Sequence, residues 1–547
     1  MNLIENIQQA FVTHIHSLYS VAPDQLRSHQ LTINTDDAKQ DFGDLNSNIA
    51  LVLAKELKRN PRQVAQELSS SFTHQAVAKI EVAGAGFINF YLTTQAWHEL
   101  TRELSNQKES FFKTASPLKK YDIEFVSANP TGPLHFGHGR SGIIGDVLSS
   151  VLRFLGHAVT KEFYINDAGG QIQRLGISFK ARCDQQMGIQ TPVPEDGYQG
   201  DYLIDLAQEC VAEYGQSLQN KDEQFFADYA KNKLLERIKN TLLDYGITFD
   251  VWFSEKTLHT GKAIEEAIAQ LDKAGYLFEQ EGALWFRSTA FGDDKDRVLR
   301  KGNGQWTYIA ADIAYLVNKV QRGFDELAVV LGHDHHSYAV RLQGIRSALQ
   351  LKPTLDIILY QLVRMKENGE LVQMSKRAGT MITLQDVIDA VGKDVARFFY
   401  LHRKADAQLE FDLELAKKKT DENPVYYIQY AYVRILSILS KAAQEEGLGS
   451  ISLDDAQYIG QEESLLLKKI ISLKQVLEHI ATSQQTHLLA YYAIELADAF
   501  HRYYSKHRVV DLTETNRSRG RLLLLTVLKN SFETVLDLLG ISKPEKM

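Results

Sequence analysis

Residues 121–156 read YDIEFVSANPTGPLHFGHGRSGIIGDVLSSVLRFLG, and no other stretch limits the fold as much. A strand-like run (YDIEFVS) enters a turn built on Pro130, Gly132 and Pro133. A helix follows, with Ile143, Ile144, Val147, Leu148, Val151, Leu152 and Leu155 on one apolar face. Gly156 stands where a helix C-terminal glycine is expected. Further on, ELAVVLG and LDIILYQLV are apolar runs of strand length, separated by the helical YAVRLQGIRSALQL. Strand, helix and strand at these lengths predict an α/β fold around a parallel sheet.

A chain of 547 residues is too long for one ordinary domain, and three blocks are expected. Residues 1–115 read as a small α+β unit. It has a turn at Gly43–Asp44, a helix start at Pro61, and two short strands around Gly84 and Gly86. Residues 116–390 carry the parallel sheet, with a helical insertion at about 186–245. Residues 391–547 have leucines at helical spacing and few glycines or prolines, which predicts an all-α bundle. No run of eighteen apolar residues suggests a membrane span. The amphipathic start MNLIENIQQAFVTHIHSLY lacks the pattern of a secretory signal, so the cytoplasm is the expected compartment. Cys183 and Cys210 form no CxxC pair, so neither a disulfide framework nor a structural zinc is expected, and both read as buried small hydrophobes. The net charge of −8 argues against indiscriminate nucleic-acid binding and leaves open RNA held by local basic patches.

His135 and His138, three residues apart, are expected at the start of the helix, sharing a face. A metal, a structural cap and a bound anion are all open to them. Position favours the anion. The pair follows the first parallel strand, at the edge where ligands of open α/β sheets gather, and the helix dipole there attracts negative charge. Gly137 allows a planar group to approach the backbone. A second polar segment, VQMSKRAGT at 372–380, offers Lys376 among small residues, suited to following a leaving pyrophosphate.

These segments resemble the class I aminoacyl-tRNA synthetases. HFGH (135–138) is similar to that class's His-x-Gly-His signature, and QMSKR (373–377) to its Lys-Met-Ser-Lys-Ser signature, with Gln373 and Arg377 replacing the first and last residues. Within the class the chain resembles the arginyl-tRNA synthetases over essentially its whole length. FGDLNSNIALVLAK, GAGFINFYL, SANPTGPLHFGHGR, EFYINDAGGQ, FDVWFSE, DKDRVLRK, TYIAADIAY, GHDHHSY and ENPVYYIQYAYVRI follow that family's order. A cysteinyl relative, the nearest rival, would be expected to hold zinc through cysteine ligands that two distant cysteines do not supply.

The resemblance implies a Rossmann-type catalytic domain between an additional N-terminal domain and a helical anticodon-binding domain. It implies ATP as substrate with Mg2+, L-arginine and tRNA(Arg) as partners, no zinc, and a monomer. Ala128, Asn129, Pro130, Thr131, Gly132, Pro133, Leu134, His135, Phe136, Gly137 and His138 form the signature segment. His135, His138 and Lys376 would be catalytic, and ATP would also meet Gly137, His333, His336, Met374 and Ser375. Arginine would be held by Glu124, Ser127, Asn129, Glu255, Tyr308 and Asp312, since a planar cation with five donors calls for carboxylates. Tyr426, Tyr430, Arg434, Arg502, Lys506 and Arg508 would face tRNA.

Overall fold

The computed structural model describes residues 1–26, 31–113, 117–372 and 382–547. The N-terminal unit holds an antiparallel sheet of β1 (Thr32–Ile33), β2 (Leu45–Ser47), β3 (Val77–Ala83) and β4 (Phe87–Leu92), in the order β1-β2-β4-β3. The helix Leu3–Tyr19 begins with a capping box between Asn2 and Glu5, and it buries Ile7, Phe11 and Ile15. Asn60 caps the helix that starts at Pro61, as the sequence suggests.

The second unit opens with β5 (Lys120–Glu124), β6 (Ala158–Ile165) and β7 (Val251–Ser254). A small antiparallel sheet of β8 (Leu277–Gln280), β9 (Ala283–Phe286) and β10 (Arg297–Arg300) follows. The chain then returns through β11 (Glu326–Gly332) and β12 (Thr354–Tyr360). All five major strands are parallel, in the order β12-β11-β5-β6-β7. Construction runs outward from β5 in one direction, then outward from β11 in the other. The crevice between these two strands is therefore the switch point where such sheets bind ligands. The expected run LDIILYQLV divides. Its first part completes β12, whereas Val363 starts β13 (Val363–Glu367), which joins β14 (Glu370–Leu371) and β15 (Leu409–Asp412) in a separate sheet. Gln361 makes the break by donating its N–H to the Ala405 carbonyl at 2.9 Å.

The helix His138–Phe154 is buried nearly all round, because the sheet covers one side and the C-terminal helices the other. Gly145 makes this possible: a Cβ there would lie 2.1 Å from the Phe125 ring. The insertion packs helices Gly170–Gln186, Tyr202–Tyr214 and Glu223–Asp244 around Leu175, Phe179, Leu206 and Phe226, with both cysteines buried in that core. At the C-terminus, helices Pro424–Ala442, Ser464–Ser483, His487–Lys506 and Thr515–Leu539 form the expected bundle. The N-terminal unit docks on it. Lys468 meets Asp44 at 3.0 Å, and Gln475 donates to the Leu31 carbonyl at 2.6 Å.

One side chain joins three parts of the molecule. Arg397, only 1% exposed, reaches Asp146 of the buried helix at 2.5 Å, the Leu539 carbonyl at 2.8 Å and the Tyr245 carbonyl at 3.0 Å. Lys161 on β6 meets the same Asp146 at 2.8 Å. Against the burial that would raise it, Arg397 and Lys161 hold the Asp146 carboxyl below its ordinary range. Its stabilisation is thus intact at neutral pH and is lost only as pH falls below the usual carboxylate value of about 4. Asp146→Asn leaves two buried cations facing each other, and breaking such a pair costs about 3–5 kcal/mol. The expected result is a clearly lower Tm in a thermal melt at pH 7; an unchanged Tm would refute this account of Arg397.

Candidate active site

The site is built on a strained corner directly after β5. Val126 (φ 67°) and Ser127 (φ 40°) both occupy the left-handed region without being glycine. Such a conformation persists only when its surroundings fix it, and here they do. The Val126 N–H donates to Ser141 Oγ at 3.0 Å. Ser127 Oγ donates to Glu124 Oε1 at 3.1 Å and accepts the Tyr164 N–H at 3.1 Å. Glu124 in turn accepts from Tyr315 at 3.0 Å and meets Lys319 at 3.1 Å. Asn129 donates to Gln171 Oε1 at 3.1 Å, and the Thr131 carbonyl accepts from Tyr202 at 2.7 Å.

The two histidines are not on one helical face, because the helix starts at His138. His135 lies before it, in a bridge with Thr383. The Nδ1 of His138 accepts the His135 N–H at 3.0 Å, and the Nδ1 of His135 accepts the Gly137 N–H at 3.1 Å. A nitrogen that accepts carries no proton, so each neutral ring is assigned its proton on Nε2. Both imidazoles are thereby set as Nε2–H donors, with ring centroids 6.4 Å apart. The Phe136 N–H donates to the Ile382 carbonyl and the Leu384 N–H to the Leu134 carbonyl, at 3.1 and 2.8 Å. Gln373, Met374, Ser375, Lys376 and Arg377 lie outside the described residues. Their flanks, at 372 and at 382–384, are set by these bonds and by the Val372 N–H donating to Met365 at 2.9 Å.

Across the site stand two further carboxyls. Glu255, at the end of β7, is buried, and Asp312 sits one turn into the helix Tyr308–Gln321. Burial pushes the Glu255 carboxyl up, opposed by hydrogen bonds from His259 and Tyr164. Burial likewise pushes Asp312 up to about 7, with the Tyr338 hydroxyl at 3.0 Å working against it and the charge of Glu255 reinforcing it. Burial and the charges of Glu255, Asp312 and Glu124 together raise the Tyr164 phenol, which places these groups around one pocket. Tyr308 is 61% exposed one turn before Asp312, beside Gly169. His333 and His336 are exposed just after β11, on the far side of the crevice. Among the described residues no group of three His, Cys, Asp or Glu is arranged to hold a metal.

Sequence reasoning passed over Tyr164, Tyr338, Gln171 and Tyr202, although the first three stand within the motif strings EFYINDAGGQ and GHDHHSY. Their role depends on partners brought from other elements. On the bundle, Arg434 lies over the rings of Tyr430 and Tyr504, and Tyr430 stacks on His501 with centroids 5.8 Å apart. Tyr426 is half-buried one turn earlier, while Lys506 and Arg508 are exposed. Arg502 instead pairs with Asp498 and, at 3.1 Å, with Asp37 of the N-terminal unit.

Family models match along the chain: an arginyl tRNA synthetase N-terminal domain at residues 5–92, a class I (R) tRNA synthetase catalytic domain at 99–408, and a DALR anticodon-binding domain at 428–547. The catalytic model alone spans more than half of the sequence. The chain belongs to the arginyl-tRNA synthetases. It is 40% identical over 560 aligned positions to an arginine–tRNA ligase of Oceanobacillus iheyensis, covering 100% of both chains. With an arginine–tRNA ligase of Nitratidesulfovibrio vulgaris it shares 42% identity over 94% of this chain and 95% of that one. The Thermus thermophilus arginyl-tRNA synthetase structure has the same fold, with a TM-score of 0.78 at 22% identity and full coverage of both chains. As in that class, the catalytic unit is a parallel α/β sheet joined to a helical domain, as the sequence leads one to expect.

The Tyr338 hydroxyl, ahead of the charge of Arg341, is the main group that opposes the rise of the Asp312 carboxyl. Tyr338→Phe is therefore expected to raise the Asp312 titration above 7, by about one pH unit. Infrared difference spectra, with Asp312→Asn identifying the band, would show more protonated carboxyl at pH 7; a band that does not move excludes this bond as a control on Asp312.

Proposed function

We propose that the chain is an arginine–tRNA ligase in which L-arginine and ATP meet at the β5/β11 crevice. The observation that carries this reading is the pairing of Glu255 and Asp312 in one pocket beside the segment that orients His135 and His138. The arginine carboxylate attacks the α-phosphate of ATP, giving arginyl-adenylate and pyrophosphate. The arginyl group then passes to the 3′-terminal adenosine of tRNA(Arg), first on its 2′-hydroxyl.

Each group has a part that suits its chemistry. Glu255 and Asp312 receive the guanidinium fork, with Tyr308 beside it, and a lysine ammonium would leave buried acceptors unpaired. Ser127 and Asn129 hold the α-amino and carboxylate end, with Glu124 behind them. The Nε2–H groups of His135 and His138 donate to phosphate oxygens as the α-phosphorus becomes five-coordinate. Gly137, His333 and His336 border the nucleotide, as do Met374 and Ser375, and Lys376 neutralises the departing pyrophosphate. Positioning and charge stabilisation of this kind are what such a transfer requires. Mg2+ enters with the ATP phosphates as their counterion.

The tRNA is met by the bundle, where Tyr430, Arg434 and Tyr504 give an aromatic and cationic surface for unstacked bases, joined by Tyr426, Lys506 and Arg508. Residues 1–115, 116–390 and 391–547 act as the N-terminal, catalytic and anticodon-binding domains of a cytoplasmic monomer.

Arginine-dependent ATP–pyrophosphate exchange, run with and without tRNA, tests this reading. Exchange is expected with arginine and tRNA together, and Lys376→Ala should reduce it by about 10² to 10³, as for other preorganised donors. Exchange supported by cysteine or lysine in place of arginine would overturn the substrate, and an unaffected Lys376→Ala would overturn that residue's role. The Asp312 titration adds a pH signature. Guanidinium binding favours the ionised carboxyl, so the KM for arginine should rise as pH falls below 7, approaching about tenfold per unit for a single proton. Asp312→Asn should bind arginine weakly with a flat profile between pH 6 and 8, and a sloping profile in that variant assigns the proton elsewhere.

A further inference from the structure

Arg140, two residues beyond His138, is 0% exposed. Burying a charge is costly unless it is paired, and the carboxylate that acts on Arg140 is Asp406, which does so through its charge and not through a hydrogen bond. Among the described residues its guanidinium is hydrogen-bonded to backbone carbonyls. Nη1 donates to Gln361 and to Ala407, and Nη2 to Lys404, all at 2.8 Å. Burial lowers the Arg140 pKa to about 10, with Tyr360 and Asp406 opposing, so the group remains a cation at neutral pH.

The three carbonyls belong to one structural unit. Gln361 is the break between β12 and β13, and Lys404 and Ala407 form the turn that leads into β15. β13 and β15 pair in parallel from Val363–Leu409 to Lys366–Asp412. This small sheet lies outside the parallel sheet that carries the histidine segment. The histidine segment also bonds through Leu134 and Phe136 to residues 382–384. The Arg140 fork adds a direct connection to the small sheet, and its planar geometry suits three fixed carbonyl directions and is not reproduced by a lysine ammonium.

We infer that Arg140 is a positioning residue for the reaction: it sets the β13/β15 sheet against the helix start that orients His135 and His138. The inference rests on the reading of those histidines as ATP-facing donors. Lost register there would displace the nucleotide half of the site and leave the pocket of Glu255 and Asp312, built on β7 and the helix Tyr308–Gln321, in place.

R140K and R140M in the full chain test this in the exchange assay with tRNA, varying ATP and arginine separately. R140K is expected to lower kcat/KM for ATP by about 10- to 100-fold, the range for hydrogen bonds lost from a charged group, with a raised KM for ATP. The KM for arginine should stay within about twofold of the parent. R140M should be more severe than R140K. A purely structural role would reduce kcat for both substrates and move neither KM, and that result overturns the inference. Hydrogen exchange gives a readout independent of turnover. Amides at 361–367 and 404–412 should exchange faster in R140K while those at 251–255 and 308–316 do not, and unchanged exchange at 361–367 overturns the inference even if R140M fails to fold. Absence of exchange activity in the parent chain would instead count against the proposed function.

Discussion

The molecule depends on the contact of Arg397 with Asp146. One guanidinium joins the helix that begins at His138, the end of the insertion at Tyr245 and the last turn of the bundle at Leu539. Gly540 is required beside it, since a Cβ there would lie 2.4 Å from the guanidinium. The middle of one helix and the C-terminal ends of two others are thus held by one buried charge and its hydrogen bonds. The geometry between the crevice and the distant helical surface is fixed as directly as that within either part.

Charge is arranged around the crevice in two layers. Beneath it, Lys319 meets Asp122, Glu124 and Glu162 at 2.5, 3.1 and 3.1 Å, and Arg322 adds a second cation on Glu162. Burial raises the Asp122 carboxyl despite Lys319, while Lys319, Arg322 and Tyr315 outweigh burial to lower that of Glu162. Above this layer, burial raises the carboxyls of Glu255, which meets His259 at 3.4 Å, and of Asp312, which the charge of Arg341 only partly opposes. The lower layer sets two cations among its three carboxylates, whereas burial dominates in the upper one.

Much of this was legible in the sequence, for particular reasons. The strand-to-helix stretch at 121–156 shows its periods openly because one face of each element is apolar. The C-terminal helices are equally plain. The motif strings also singled out Glu124, Glu255 and Asp312, and the structure buries the first two and partly buries the third. What remained hidden depends on long-range packing. Arg140 and Arg397 look like ordinary surface cations, yet both are buried by elements more than two hundred or a hundred residues away. The start of the helix at His138, one turn later than the spacing of the histidines suggests, follows from the pairing of His135 with Thr383. Tyr503 and Tyr504 are neighbours in sequence, but Tyr503 turns inward to Glu463 and Tyr504 lies at the surface beside Arg434.

The corner at Val126 and Ser127 has a consequence for how this chain can evolve. Non-glycine residues in the left-handed region each cost on the order of 1–3 kcal/mol, a cost here offset by Ser141, Glu124 and Tyr164. A glycine at position 126 would relieve part of it, so a less strained version of this backbone is one substitution away from the sequence observed. Selection for thermal endurance alone would pull the corner towards that substitution, and selection for a firmly placed Ser127 hydroxyl would pull it back. The sequence at this corner therefore records which of the two pressures has been the stronger.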